Sequence, residues 1–550
     1  MIGRLDTWIA VGYIVAIVAV GLFAGLNKKA AGSQGEPGGY FLAGRSLRWP
    51  MIGLALFATN ISCLHLVSLA QSGFDTGLLN GNFEWMAAFT LILLALFFVP
   101  FYIRSGISTL PDFLEKRYNR ACRDWLAFIS IISAIIIHIA FSFVAGGIVL
   151  ETLFGINMYT AIIVIALLTG AYTIIGGLKA VVVTESIQSI VLIGGAIIIT
   201  CFCWNKVGGW EQMKSTLAAH QALDKIDMLR PAGDPGGMSW VAVFLGYPVL
   251  GIWYWCADQT IVQRTLGAKD ENHARVGALF CGFIKILPVF IFVLPGLCAF
   301  ALYKTHALDL SSLQQLAPDG TTQLNSKGIY TLMITQLLPP GLVGILVAAL
   351  LSGLMSQIAG ALNSIATLGS YDLYKRFRPD TPEKQLVKVG RWTAGIALLL
   401  SIALLPLLNR YESLFAGIND VIAHIAPPIT CVFLLGIFWK KASGKAAACT
   451  LWIGSALGAL VFAIGKLAPE TALAKISFMI MAFYLFITCV LIQVVLSFVF
   501  PVQHTADSET LYWKSFREPL SAKGWPGPGN YKFLSFLLLA IMAVLYWIFQ

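Results

Sequence analysis

Charge is scarce in this chain: Asp, Glu, Lys and Arg make up 12% of its 550 residues. A soluble protein carries about twice that fraction, so a single large soluble core is excluded. Low-complexity tracts and obvious tandem repeats are missing. The soluble pieces are short, at residues 205–238, 304–327 and 502–529, and none is large enough to be a catalytic domain. Most of the ten cysteines stand singly inside apolar runs, as Cys63, Cys201, Cys281, Cys298 and Cys431 do. A thiol there acts as a small hydrophobe, which points away from a disulfide scaffold or a zinc site. The sequence also lacks a nucleophile with a base, a metal motif or a nucleotide loop, so an enzyme is not expected.

What the chain has is hydrophobicity, at 58% of residues. Apolar runs of 18 or more residues recur from residue 5 to residue 549, each long enough to cross the ~30 Å hydrocarbon layer. The expected fold is an all-α polytopic membrane protein with spans near residues 5–27, 50–74, 82–103, 124–154, 158–177, 180–204, 239–262, 276–303, 328–374, 389–409, 414–439, 444–465, 476–501 and 530–549. That is fourteen. Pro339-Pro340-Gly341 predicts a short helix, a break, and a true ninth span from about residue 342. The first span has no small-residue cleavage site and reads as a retained helix.

The basic balance, +10 overall, reports topology and not nucleic-acid binding. Loops after odd-numbered spans hold 26 Lys and Arg, from Lys28 and Lys29 to Lys532, and include Arg117, Arg264 and Arg275. The opposite side holds 10, Arg410 among them. By the positive-inside rule both termini lie outside. The lack of long soluble regions suits a bacterial inner membrane.

Polar side chains inside a bilayer are expensive and mark function. Lys285 lies roughly 12 Å into its run at ~1.5 Å per residue, where it must snorkel, pair or face a wet cavity. Asn60, Ser62 and His65 interrupt the second span, either as hydrogen-bonding glue between helices or as ligands. Gly246-Tyr247-Pro248 and Tyr254-Trp255-Cys256-Ala257-Asp258 interrupt the seventh, where an aromatic belt with a polar cap is the plainer reading. Spans two and seven are five apart, and interrupted helices in matching places of two halves point to a mid-membrane transporter site. Glu84 opens the third span, where a helix N-terminus favours a carboxylate. Asn419, in the eleventh, is ambiguous in the same way. Gly353, Ser356 and Gln357 share one helical face; they read as packing residues or as oxygen ligands for a hard cation such as sodium.

Several of these residues sit in longer strings: Phe41-Leu42-Ala43-Gly44-Arg45-Ser46-Leu47, Asp258-Gln259-Thr260-Ile261-Val262-Gln263-Arg264 following Tyr254-Trp255, and Phe433-Leu434-Leu435-Gly436-Ile437-Phe438-Trp439. These resemble the sodium/glucose cotransporter branch of the solute:sodium symporter family, from about residue 40 to 445. The resemblance implies fourteen transmembrane helices with a LeuT-type 5+5 inverted-repeat core. Residues 1–49 then form a first helix and cytoplasmic loop, 50–439 the transporter core, and 440–550 three accessory helices. It implies sugar-binding positions at Asn60, His65, Glu84, Tyr254, Trp255, Lys285 and Asn419, with Tyr254 as a stacking inner gate. It also implies one sodium ion per sugar, held by the carbonyls of Ala58, Ile61 and Gly353 and the Ser356 hydroxyl.

Asn419, Gln357, Ala359 and Gly360 depart from the family pattern. Asn419 stands where sugar-transporting relatives carry glutamine. Gln357 stands in place of a second hydroxyl, and its side-chain oxygen is the expected substitute ligand. Glu185 matches an acidic position tied to a second sodium site, but Ala359 and Gly360 replace the hydroxyls that would complete it. The expected function is sodium-coupled import of a hexose or similar polyol by alternating access in the cell membrane. A sugar sensor or sugar-gated conductance on the same scaffold, or a symporter of inositol or a proline-like solute, is the alternative.

Overall fold

The computed structural model describes residues 3–26, 39–234, 237–316, 322–408 and 414–550. Lys28, Lys29 and Arg410 of the charge tally lie outside them. Among the described residues, twelve helices are long and apolar enough to cross a membrane, against the fourteen expected. The difference falls at two places where the sequence reading draws a boundary between spans. His65–Arg104 is interrupted at Gly77–Gly81, and Met158–Val207 at Gly177 (φ 65°, ψ −164°). That backbone conformation suits glycine, and a Cβ there would also stand 2.6 Å from the Tyr40 carbonyl.

Leu342–Thr367 is the central helix. Its apolar residues run all round it, the pattern of a buried helix, and its Gly, Ala and Ser positions let neighbouring backbones come close. In the span that contains it, 89% of the most apolar window is buried. The last three helices, Gly444–Leu467, Phe478–Val499 and Tyr531–Ile548, bury 28%, 33% and 22% and so lie at the periphery. Asp6 of the first helix fixes the start of the central one, its Oδ1 accepting from Gly341 N and Gly344 N at 2.7 Å each. The break at Pro339-Pro340-Gly341 falls where the sequence places it, between Ile329–Leu337 and Leu342–Thr367. A short antiparallel pair, Gln314–Leu316 with Thr322–Leu324, and two isolated bridges, Leu47 with Ala268 and Arg230 with Ser239, are the departures from an all-α fold among the described residues.

Three spans are broken, two of them the second and seventh, which the sequence reads as interrupted. The second divides into Trp49–Asn60 and Cys63–Thr76, with Ile61 and Ser62 extended between them. The seventh does not break at Gly246-Tyr247-Pro248. It runs through Pro248 as Trp240–Ile252, loosens into a π-turn over Trp253–Ala257, and breaks further on at Asp258 (φ −85°, ψ 122°), whose side chain starts Gln259–Leu266 by accepting from Thr260 N at 2.6 Å. In the eighth, Glu271–Ile284 opens at Lys285 and Ile286. Pro288 explains this opening, because it has no N–H for the Ile284 carbonyl and its ring crowds that oxygen. At the same opening the Ile286 carbonyl accepts from Trp85 Nε1 at 3.2 Å.

The charge tally needs one correction. Arg117, Arg264 and Arg275, counted as loop cations, are at most 1% exposed. Each donates to carbonyls or carboxylates, as Arg117 Nε does to the Gly436 carbonyl at 2.6 Å, so they hold helix ends together and say less about topology.

Candidate functional site

The breaks in the second, seventh and eighth spans converge on one cavity. Asn60, His65, Glu84, Tyr254, Trp255, Lys285 and Asn419 all line it. Because Lys285 sits at the opened turn, its side chain leaves the helix sideways into this space. Its Nζ donates to Asn60 Oδ1 at 2.5 Å and forms an ion pair with Glu84. It also lies 5.5 Å from the centroid of the Trp255 ring. The two charged side chains are 1% and 3% exposed. A pair so desolvated persists only with good geometry and further hydrogen bonds, which Asn60 supplies.

Asn60 turns its amide the other way as well, donating from Nδ2 to the Tyr254 hydroxyl at 3.2 Å. Tyr254 packs edge-on against Trp255, with centroids 5.3 Å apart. His65 caps the second half of its broken helix. Its Nδ1 accepts from Ser62 N at 3.3 Å, so the neutral ring carries its proton on Nε2 and presents a donor. Asn419, on Leu414–Phe438, is 7% exposed.

A second cluster lies at the first break. Ser356 Oγ is 2.9 Å from the Ala58 carbonyl and 3.1 Å from that of Gly353. A Cβ on Gly353 would stand 3.0 Å from the backbone of Ser62 and Cys63, so its absence lets the central helix reach the break. Ile61, the first residue of the break, bonds back to Phe57 through its N–H. This set of neutral carbonyls and a hydroxyl has the chemistry a hard cation accepts. Gln357 does not join it. Its Oε1 accepts from Ser142 Oγ at 3.1 Å, its Nε2 lies 3.4 Å from His138 Nδ1, and the residue lines the cavity instead.

The family model of the sodium:solute symporter family matches residues 40–454. The chain belongs to this family. Sodium/glucose cotransporter 1 of Sus scrofa is 34% identical over 474 residues, which cover 82% of this chain and 71% of that protein. Sodium/mannose cotransporter SLC5A10 of Bos taurus is 32% identical over 484 residues, covering 85% and 81%. A solved structure of a Na+-coupled sialic acid symporter, substrate-bound and outward-open, superposes with a TM-score of 0.77 at 22% identity, over 92% of this chain and all of that one. The fold is therefore LeuT-type, and the protein is a sodium-coupled transporter and not an enzyme.

Two features of this symporter escape the sequence reading. His138 is fully buried, with Nε2 3.0 Å from Asp258 Oδ2. An ionisable residue mid-way along the fourth span was itself the signal. The other is Arg264, whose guanidinium meets Glu185 at 2.5 Å with both side chains 0% exposed. Thr59 Oγ1 adds a bond to the same carboxylate at 3.0 Å. Only the folded chain brings Thr59, Glu185, Arg264 and Gly360 together, from four separate spans.

Proposed function

We propose that this symporter carries a hexose or similar polyol with one sodium ion, by alternating access. One observation carries the reading: Asn60, bonded to Lys285 and Tyr254 in the cavity, stands two residues after Ala58, whose carbonyl meets Ser356 Oγ, and directly before Ile61, and we assign both carbonyls to the sodium shell. An ion drawn to those carbonyls fixes the break, and the break aims Asn60. Substrate and ion are thus read by the two sides of one short segment.

A neutral polyol needs a ring of donors and acceptors and an apolar face. Glu84 accepts from hydroxyls, Lys285, His65, Asn60 and Asn419 bond others, and the Tyr254 and Trp255 rings close on the sugar face. The cavity's polar groups bond one another, so substrate hydroxyls exchange for bonds already made. Sodium is held by the carbonyls of Ala58, Ile61 and Gly353 with Ser356 Oγ. Gln357, committed to Ser142 and His138, stays outside this shell. Residues 50–439 form the transporting core and 440–550 an accessory layer, in a bacterial inner membrane with both termini outside.

The test is uptake into proteoliposomes of labelled hexoses, inositol and proline, each with and without a sodium gradient. Concentrative, sodium-dependent hexose uptake is expected. Accumulation of proline alone, or hexose flux that never exceeds equilibrium, would overturn the assignment.

A further inference from the structure

We propose that His138 and Gln357 form a second recognition pole of the cavity, which reads one substrate hydroxyl and sets discrimination among polyols. This rests on the polyol reading above and adds the group that the pole recognises.

The hydrogen-bond order around His138 fixes what it offers. Asp258 accepts from Thr260 N at 2.6 Å through Oδ1, so its carboxylate is held in place, and its Oδ2 faces His138 Nε2 at 3.0 Å. An ionised carboxylate only accepts, so Nε2 carries the proton and Nδ1 is left as a lone pair. The Gln357 amide is oriented as firmly. Ser142 Oγ donates to Oε1 at 3.1 Å, which turns Nε2 and its two N–H groups toward the imidazole.

The resulting N–H donor and lone pair stand side by side, 3.4 Å apart. That is long for a hydrogen bond, whose usual donor–acceptor separation is about 2.9–3.0 Å, so little is lost when a ligand replaces it. A hydroxyl donates and accepts at once. Placed at the apex of this pair, it donates to His138 Nδ1 and accepts from Gln357 Nε2. A methylene offers neither. A carboxylate is disfavoured by the Asp258 charge behind the ring.

The position of the pair in the fold supports this role. Both residues line the cavity. The Tyr254 ring lies between the two poles, bonded to Asn60 and 5.8 Å from the His138 ring by centroid. His138 also sits in a π-turn, Ala134–Ala140, a distortion often found at functional sites.

The experiment measures apparent affinity in proteoliposomes for the solute that passes the uptake test and for each of its monodeoxy analogues; for glucose, the monodeoxy glucoses. Wild-type protein should bind one analogue about tenfold or more weakly because its hydroxyl is missing at this pole. In Gln357→Met the parent solute should fall to the affinity of that one analogue, so their ratio drops to about one, while ratios for the other analogues hold. His138→Leu should behave alike and serves as a second test if either variant is poorly folded. Unchanged ratios for every analogue, or a Gln357→Met protein altered only in its sodium dependence, would overturn the proposal. If wild-type protein takes up no polyol, the functional reading itself has failed, a different result from intact uptake with unaltered discrimination.

Discussion

Ser356 Oγ lies 2.9 Å from the Ala58 carbonyl, so a hydroxyl of the central helix already meets the carbonyl end of the first broken helix. Ser356→Ala removes one neutral oxygen from the proposed sodium shell and leaves the substrate cavity untouched. Sodium affinity should fall about tenfold or more, as expected for a lost ligand bond. The check is the sodium dependence of uptake at fixed membrane potential, with substrate affinity at saturating sodium close to wild type.

Gly360 and Arg264 give a prediction about stoichiometry. A Cβ at residue 360 would stand 2.3 Å from Arg264 Nη2 and 3.0 Å from Glu185 Oε1. The guanidinium thus fills the space beside Glu185 and supplies a fixed positive charge. Reversal potentials should report one sodium per substrate; a ratio of two would contradict this. Gly360→Ala should lower the melting temperature sharply, because displacing one partner of a buried ion pair costs roughly 3–5 kcal/mol.

Lys285→Ala and Glu84→Ala should each abolish uptake and also destabilise the protein, since each leaves a buried charge alone. The double variant Lys285→Met/Glu84→Met removes both charges at similar volume. Its thermal stability should return to near or above wild type while uptake stays absent. Recovery of uptake in the double variant would show that the pair is structural only.

Tyr254 makes two contributions that substitution separates. Tyr254→Phe keeps the ring against Trp255 and loses the hydroxyl that accepts from Asn60, a loss of about 1 kcal/mol. Tyr254→Ala loses the stacking area as well. Substrate affinity should therefore fall modestly in the first and severely in the second, by equilibrium binding in detergent.

Much of the site was legible because bilayers penalise polar side chains. Lys285, Glu84 and Asn60 are conspicuous in apolar runs, and folding only adds that they touch. Where the helices break was harder to read. Pro248 suggested a break but is carried through its helix, whereas Asp258 makes one by capping the next. Gln357 was read by its neighbours on one helical face, yet a glutamine arm reaches past that face to Ser142. Arg264 resembled a loop cation because the sequence cannot show that Gly360 leaves room for it.

The buried knot of Thr59, Glu185, Arg264 and Gly360 also limits how the molecule can move. Thr59 precedes the first break and Arg264 follows the second. Parting Arg264 from Glu185 would strand a charge at zero exposure, and parting Thr59 from it would cost a buried charge-assisted hydrogen bond, so the lowest-cost motion carries both helix halves as one rigid block. Flexion is then confined to the extended residues Ile61–Ser62 and Asp258. Those hinges adjoin the proposed ion and substrate ligands, so cargo binding can set the angle of the block directly.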